Sequence, residues 1–270
     1  MPELKQAIDV AHTNGFRYLQ LDWGWYGTEW PWNDADRKKF LEVNPSWSND
    51  LGWVANTYAD PTKVAKGRVP YRSDWKDAHT VVDLDIPELV KYARERNMGV
   101  CLYMHGDVLR AHDMDKLFAL YRSWGLAGLK PGFVRYGSAE QSDWIRKMVE
   151  TAARHQLWLC VHDAHVPDGM ERTYPNLMIN EGGGGQEGNH PVRQDVVMPF
   201  TRGLAGPFDY TPHVYHKGKS HAHALAFFVV YHGPTTVVRG GIKEFASTGP
   251  NRVGPEAEFM RRVPMNWAET

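Results

Sequence analysis

From Leu157 to Glu187 the sequence runs LWLCVHDAHVPDGMERTYPNLMINEGGGGQE. Leu157–Val161 is a short apolar run, the pattern of a buried strand. It breaks at His162 and Asp163, and a long polar loop follows, carrying Asp168, Glu171, Arg172, Tyr174, Asn180, Glu181 and Glu187. Carboxylates, an imidazole and a guanidinium gathered beyond the C-terminal end of one strand are what the working face of an α/β barrel presents. The glycines 182–185 let the backbone pass close to a ligand and take positive φ, which other residues resist.

Working outward, strand and helix patterns alternate. Residues 2–14 place Leu4, Ile8 and Ala11 on one helical face, with Gly15 as a stop. FRYLQLDWGWYG (16–27) is a strand running into a loop, with Asp22 at the strand's end. Residues 30–80 are rich in Trp, Pro, Asn and Asp and lack periodicity, which predicts a functional loop or a local insertion. Ile86–Asn97 is a helix, GVCLYMH (99–105) a strand, and 113–125 an amphipathic helix capped by Asp113 and stopped by Gly125. LAGLKPGF (126–133) is a strand and 139–156 a helix; beyond the polar loop come helices at 191–204 and 220–232 and strand-like segments near 208–211 and 235–238. About seven strand-like segments alternating with helices predict an α/β fold of the (β/α)8 TIM-barrel type over a doubly wound sheet. Because the chain opens on a helix, the first barrel strand is expected to be missing. The whole of 1–270 reads as one domain.

Thirty-one basic and 32 acidic side chains give a net charge of −1, which offers no electrostatic case for nucleic acid or an anionic membrane as partner. No apolar run reaches the length of a membrane span, and no secretory leader precedes Pro2. The only two cysteines, Cys101 and Cys160, lie in separate apolar strands and read as core residues rather than as a disulfide or zinc set. Eleven tryptophans suit aromatic walls against sugar faces, although core filling accounts for most of them.

In a parallel barrel, side chains at strand C-termini converge on one pocket. Those are Asp22, then His105 and Asp107, then Lys130, then His162 and Asp163, with Glu181 and Glu187 on the following loop. A lysine ending an apolar strand is costly unless paired, so Lys130 is hard to assign to structure alone. Asp22 as a loop cap, His162–Asp163 as a hydrogen-bonded pair, and Glu181 and Glu187 as solvated residues are the structural alternatives. His221 and His223 stand at i, i+2 on a helix and do not share a face, which excludes a metal pair there. Two carboxylates across an aromatic pocket is the arrangement that glycoside hydrolysis requires.

HDAHVPDGMERTYPNLMINEGGGGQE (162–187) resembles a stretch of glycoside hydrolase family 97 that carries a His–acid pair, RTYPN and two spaced glutamates. YLQLDWGWYG, GLKPGFV, MPFTRGLAGPFDYTP and VPMNWAET are further matches, so the resemblance spans nearly the whole chain. It implies a calcium-dependent exo-acting α-glucosidase or α-galactosidase on a (β/α)8 barrel, periplasmic or secreted, acting on an oligosaccharide or α-glycoside. It implies Glu187 as general acid, Glu181 and Asp163 at Ca2+, and Asp22, Lys130, His162 and Arg172 as substrate contacts. Retaining members resemble one another in an Asp nucleophile where this chain has Gly132, which implies inversion here. The inverting members' Glu base falls at about Gly106; the neighbouring Asp107, with a carboxylate set back by about 1.5 Å, is the expected substitute beside Asp163. The resemblance further implies that the family's two flanking β-domains are lacking, and with them one calcium ligand. The expected function is inverting cleavage of α-glucosides from the non-reducing end, the alternatives being an α-galactosidase or a catalytically impaired sugar-binding barrel.

Overall fold

The computed structural model describes residues 1–22, 25, 66–70, 81–188, 190–213, 220–231, 233–239, 245 and 255–264. Five strands form a parallel sheet in the order β1 (Tyr18–Leu21), β4 (Gly99–His105), β5 (Gly128–Gly132), β6 (Trp158–Val161), β7 (Leu177–Asn180). Two single parallel bridges, Asn180 to Phe208 and His213 to Arg239, carry the wall on through two further segments. Seven consecutive barrel positions are thus occupied, and the fold is the expected α/β, TIM-barrel type. Among the described residues no strand pairs with the outer edge of β1.

The helices follow from local chemistry. In α1 (Pro2–Thr13) Ile8 is fully buried, and the chain leaves through Gly15 at φ +80°. In α2 (Ile86–Arg94) the Asp85 carboxylate accepts from the Glu88 N–H at 2.9 Å. Gly106–Ala111 forms α3. In α4 (Met114–Trp124) Asp113 accepts from the N–H groups of Asp115 and Lys116, and Gly125 ends the helix at φ +87°. α5 (Ala139–Arg154) starts at a reciprocal capping box between Ser138 and Gln141. Ile86, Leu89, Leu117, Phe118, Tyr121 and Met148 pack against the sheet in one continuous core, each at most 2% exposed.

Three differences from the sequence reading matter. The polar loop after β6 is not continuous: it holds a one-turn helix α6 (Met170–Thr173) and then β7, so Asn180 and Glu181 sit at the end of a strand of their own. The 30–80 excursion contributes β2 (Lys66–Pro70), paired antiparallel with β3 (Val81–Asp85); its other residues lie outside those described. The helix expected at 191–204 is α7 (Val192–Val197) followed by two 3-10 turns, 198–200 and 202–205. Helices α8 (His221–Val230) and α9 (Pro255–Arg262) complete the fold, and no helix among the described residues is long and apolar enough to cross a membrane.

Candidate active site

A cavity of about 1450 Å3 opens at the C-terminal ends of the strands. Asp22, Lys130, His162, Asp163, Glu181 and Glu187 all line it, so six of the candidate residues converge although they come from four strand ends and one turn. Ala7 and Val10 of α1, with Val237 and Val238, also line it.

Lys130 is the charge at the centre. Its side chain is 4% exposed, and Nζ lies 3.8 Å from Asp22 Oδ2 and 4.0 Å from Glu187 Oε1. Burial opposes the ammonium charge, but the carboxylates of Asp22, Glu187 and Asp209 outweigh it and raise the lysine's pKa. Asp22 is also held by the Gln20 amide, which donates to its Oδ2 at 2.5 Å. Glu187 sits in the 3-10 turn Gln186–Gly188, and its side chain is 37% exposed.

Glu181 is buried, and its two oxygens are fixed by different donors. Oε2 accepts the Asp163 N–H at 2.8 Å and faces His162 Nδ1 at 3.6 Å, while Oε1 accepts the Gly185 N–H at 3.2 Å. Burial raises its pKa against the pull of His162, and the charges of Asp163 and Glu187 add to the rise. The glycine run lines the cavity, as expected, and its Gly185 N–H also holds Glu181. A Cβ on Gly185 would come within 2.8 Å of Glu181 Oε1, and Gly182 is the member of the run at positive φ, +48°.

His162 is buried, and its Nε2 lies 2.7 Å from Asp209 Oδ2. Burial, the largest influence, opposes charge on the ring, as does Lys130; the hydrogen bond and charge of Asp209, with Glu181, reverse this and raise its pKa. Asp163 is exposed at the mouth, at φ +51°, and its Oδ2 accepts the Phe133 N–H at 2.8 Å. Phe133 and Thr211, also at the strand ends, share this left-handed backbone at φ +51° and +50°. Left-handed geometry at a non-glycine residue costs about 1–3 kcal/mol; Asn97 and Gln156, before β4 and β6, also adopt it.

Two of the expected site residues lie off this cavity. Asp107, expected as the substitute base, falls in the first turn of α3 and ion-pairs with Arg135 at 3.0 Å; it does not line the cavity. The strand ends at His105, whose Nδ1 accepts the Asp107 N–H and whose ring stacks on Phe133, and the chain enters α3 at Gly106. Arg172, expected as a substrate contact, is exposed on α6 and also absent from the lining. Trp25, from the DWGW motif, is core: its Nε1 donates to the Tyr103 carbonyl and its ring meets Tyr121 edge-on.

Two residues were not foreseen. Arg202 is 6% exposed and donates to the carbonyls of Asn180, Glu181, Gly206 and Pro207, fixing the end of β7 beneath Glu181. Asp209 is fully buried among His162, Cys160 and Lys130. The available signal was a lone acid inside the strand-like PFDYTP.

Gly132 ends β5 beneath the buried Tyr103, and an added Cβ would lie 2.4 Å from Tyr103 Cε2. Gly132→Ala is expected to cost about 1–3 kcal/mol through overpacking, measured by chemical denaturation, and the cost should shrink in a Tyr103→Leu background.

Comparison with known proteins bears on the family and the fold. Residues 65–183 match the sequence profile of Glycoside hydrolase 97. The chain is similar to that family. A protein of Streptomyces bingchenggensis named "Probable retaining alpha-galactosidase" is 27% identical over 275 residues, covering 98% of this chain and 36% of the relative. A "Retaining alpha-galactosidase" of Bacteroides thetaiotaomicron is 29% identical over 217 residues, covering 78% of this chain and 26% of the relative. The chain thus matches between about a quarter and about a third of the length of these relatives. A Glycoside Hydrolase Family 97 enzyme of Pseudoalteromonas sp. strain K8, solved with acarbose, superposes at TM-score 0.69 with 22% identity over 99% of this chain and 40% of that one. A variant of the same enzyme, solved with panose, gives TM-score 0.68 at 21% identity over the same shares of the two chains. At such identities these structures establish the fold.

Proposed function

We propose that the chain is the catalytic barrel of a family 97 glycoside hydrolase that cleaves α-glycosides from the non-reducing end. The observation that carries this is the buried Lys130 ammonium set between Asp22 and Glu187, with Glu181 and Asp163 completing a carboxylate rim over one cavity. Lys130 and Asp22 bind and orient sugar hydroxyls, one as donor and the other as acceptor. Glu187, at the mouth, donates its proton to the leaving oxygen. Asp163 takes the proton of the attacking water, and with Asp107 diverted to Arg135 it carries that role without help. Because the end of β5 is Gly132, no side chain there can form a glycosyl-enzyme bond, which supports inversion. The retaining α-galactosidases among the relatives favour a second reading, retention, which requires a nucleophile at another position.

A calcium ion fits the donor chemistry. Glu181 and Glu187 bring carboxylate oxygens within 4.8 Å of each other and of a His162 ring nitrogen, a mutual repulsion that a hard divalent cation relieves. Glu181 and the free oxygen of Asp163 would hold it, and Glu187, which has to carry a transferable proton, would stay outside its coordination. When bound, the ion supplies positive charge near the leaving oxygen.

The names of the relatives support an α-galactoside as substrate, and acarbose and panose bound to the structural neighbours support an α-glucoside. The test is turnover of 4-nitrophenyl α-galactoside and α-glucoside by the purified chain, with added calcium and with chelator. Turnover of at least one, reduced by chelator, is expected. Sugar binding with no turnover under either condition would leave a sugar-binding barrel instead.

A further inference from the structure

Asp209, fully buried behind the cavity lining, is fixed on both oxygens. Asp209 Oδ1 accepts from the N–H groups of Val237 at 3.1 Å and Thr211 at 3.4 Å. Its Oδ2 accepts from the Cys160 thiol at 3.0 Å and faces His162 Nε2 at 2.7 Å. Four donors on two oxygens, in a residue with no solvent exposure, leave this carboxylate no freedom to turn.

The partner's state follows. A bare Nε2 facing a carboxylate oxygen at 2.7 Å would set lone pair against lone pair, so Nε2 carries a proton in both the neutral and the charged ring. The other nitrogen, Nδ1, then points at Glu181 Oε2, and that same oxygen accepts the N–H of Asp163. One line of contacts therefore runs from Asp209 through His162 and Glu181 to the backbone of Asp163.

We propose that Asp209 is a positioning residue: it fixes the orientation and tautomer of His162, and through them the placement of Glu181 and Asp163 at the reacting bond. This rests on the glycosidase reading. It differs from a merely structural role, in which Asp209 only ties residues 208–211 to Val237, because it predicts dependence on the imidazole.

The test combines spectroscopy and kinetics. Nitrogen-15 NMR of the histidine rings, with the His162 signals assigned by their loss in His162→Gln, should show Nε2 protonated in the wild type at every pH sampled. In Asp209→Asn the tautomer should shift, and kcat on the 4-nitrophenyl glycoside should fall by about 10- to 100-fold with KM changed far less. In a His162→Gln background the same substitution should lower kcat by less than about twofold, since coupled residues are not additive. Wild-type His162 bare at Nε2, or an equal loss in both backgrounds, overturns the proposal. A wild type that turns over no glycoside refutes the glycosidase reading, while the ring spectra still decide the state of His162.

Discussion

Glu187→Gln is expected to lower kcat/KM on α-glycosides with poor leaving groups by about 10²- to 10⁴-fold, the usual worth of a positioned general acid. Glutamine keeps the size and hydrogen-bonding reach of the side chain, and its contact with Lys130 is only 4.0 Å, so binding and folding should change little. What it removes is the transferable proton. Leaving groups that are stable as anions need that proton least, so a 4-nitrophenyl glycoside should lose much less than a disaccharide. Measuring kcat/KM across a graded series of leaving groups should give a steeper dependence in the variant than in the wild type. Parallel slopes would remove Glu187 from the role of acid.

Lys130→Met is expected to have the second large effect, and to show it in stability as well as turnover. The side chain is 4% exposed, and methionine fills nearly the same space, so the change is chiefly electrostatic. Asp209, fully buried and held ionised against burial by the hydrogen bond and charge of His162, by the charge of Lys130 and by Cys160, would lose one of its counter-charges. Removing one partner of a buried charge pair typically costs about 3–5 kcal/mol. Asp22→Asn, at the half-exposed end of the same lysine, should cost less than about 1 kcal/mol while still weakening sugar binding. Urea denaturation of the two variants separates the cases; equal small losses would mean that Lys130 is not part of a buried charge network.

The barrel was legible where local chemistry repeats. The strand 99–105 matches its sequence pattern residue for residue, and Asp113 and Gly125 bound α4 as cap and stop. β7 was missed because LMIN is a four-residue run with no alternation, set between a Pro-Asn turn and a glycine run, where composition reads as loop. In the site, the residues legible from sequence were those in or just past the strands, Asp22, Lys130, His162 and Asp163, with Glu181 and Glu187 beyond them. Asp107, two residues past its strand as Asp163 is past β6, lies off the cavity because β4 passes straight into α3, whose first turn favours an acid. Arg202 and Asp209 were illegible for a different reason: the partners that tie them to the site lie 21 and 22 residues away for Arg202 and 47 and 49 for Asp209, so no spacing along the chain announces them.

The account turns on how a rim with Gly132 at the end of β5 attacks the anomeric carbon. The direct measurement is proton NMR of the first sugar released from an α-glycoside, taken before mutarotation mixes the anomers. Inversion by water, with Glu187 as acid and Asp163 as base, predicts the β-anomer first. The α-anomer first would contradict it and would require a protein nucleophile that the end of β5 does not supply.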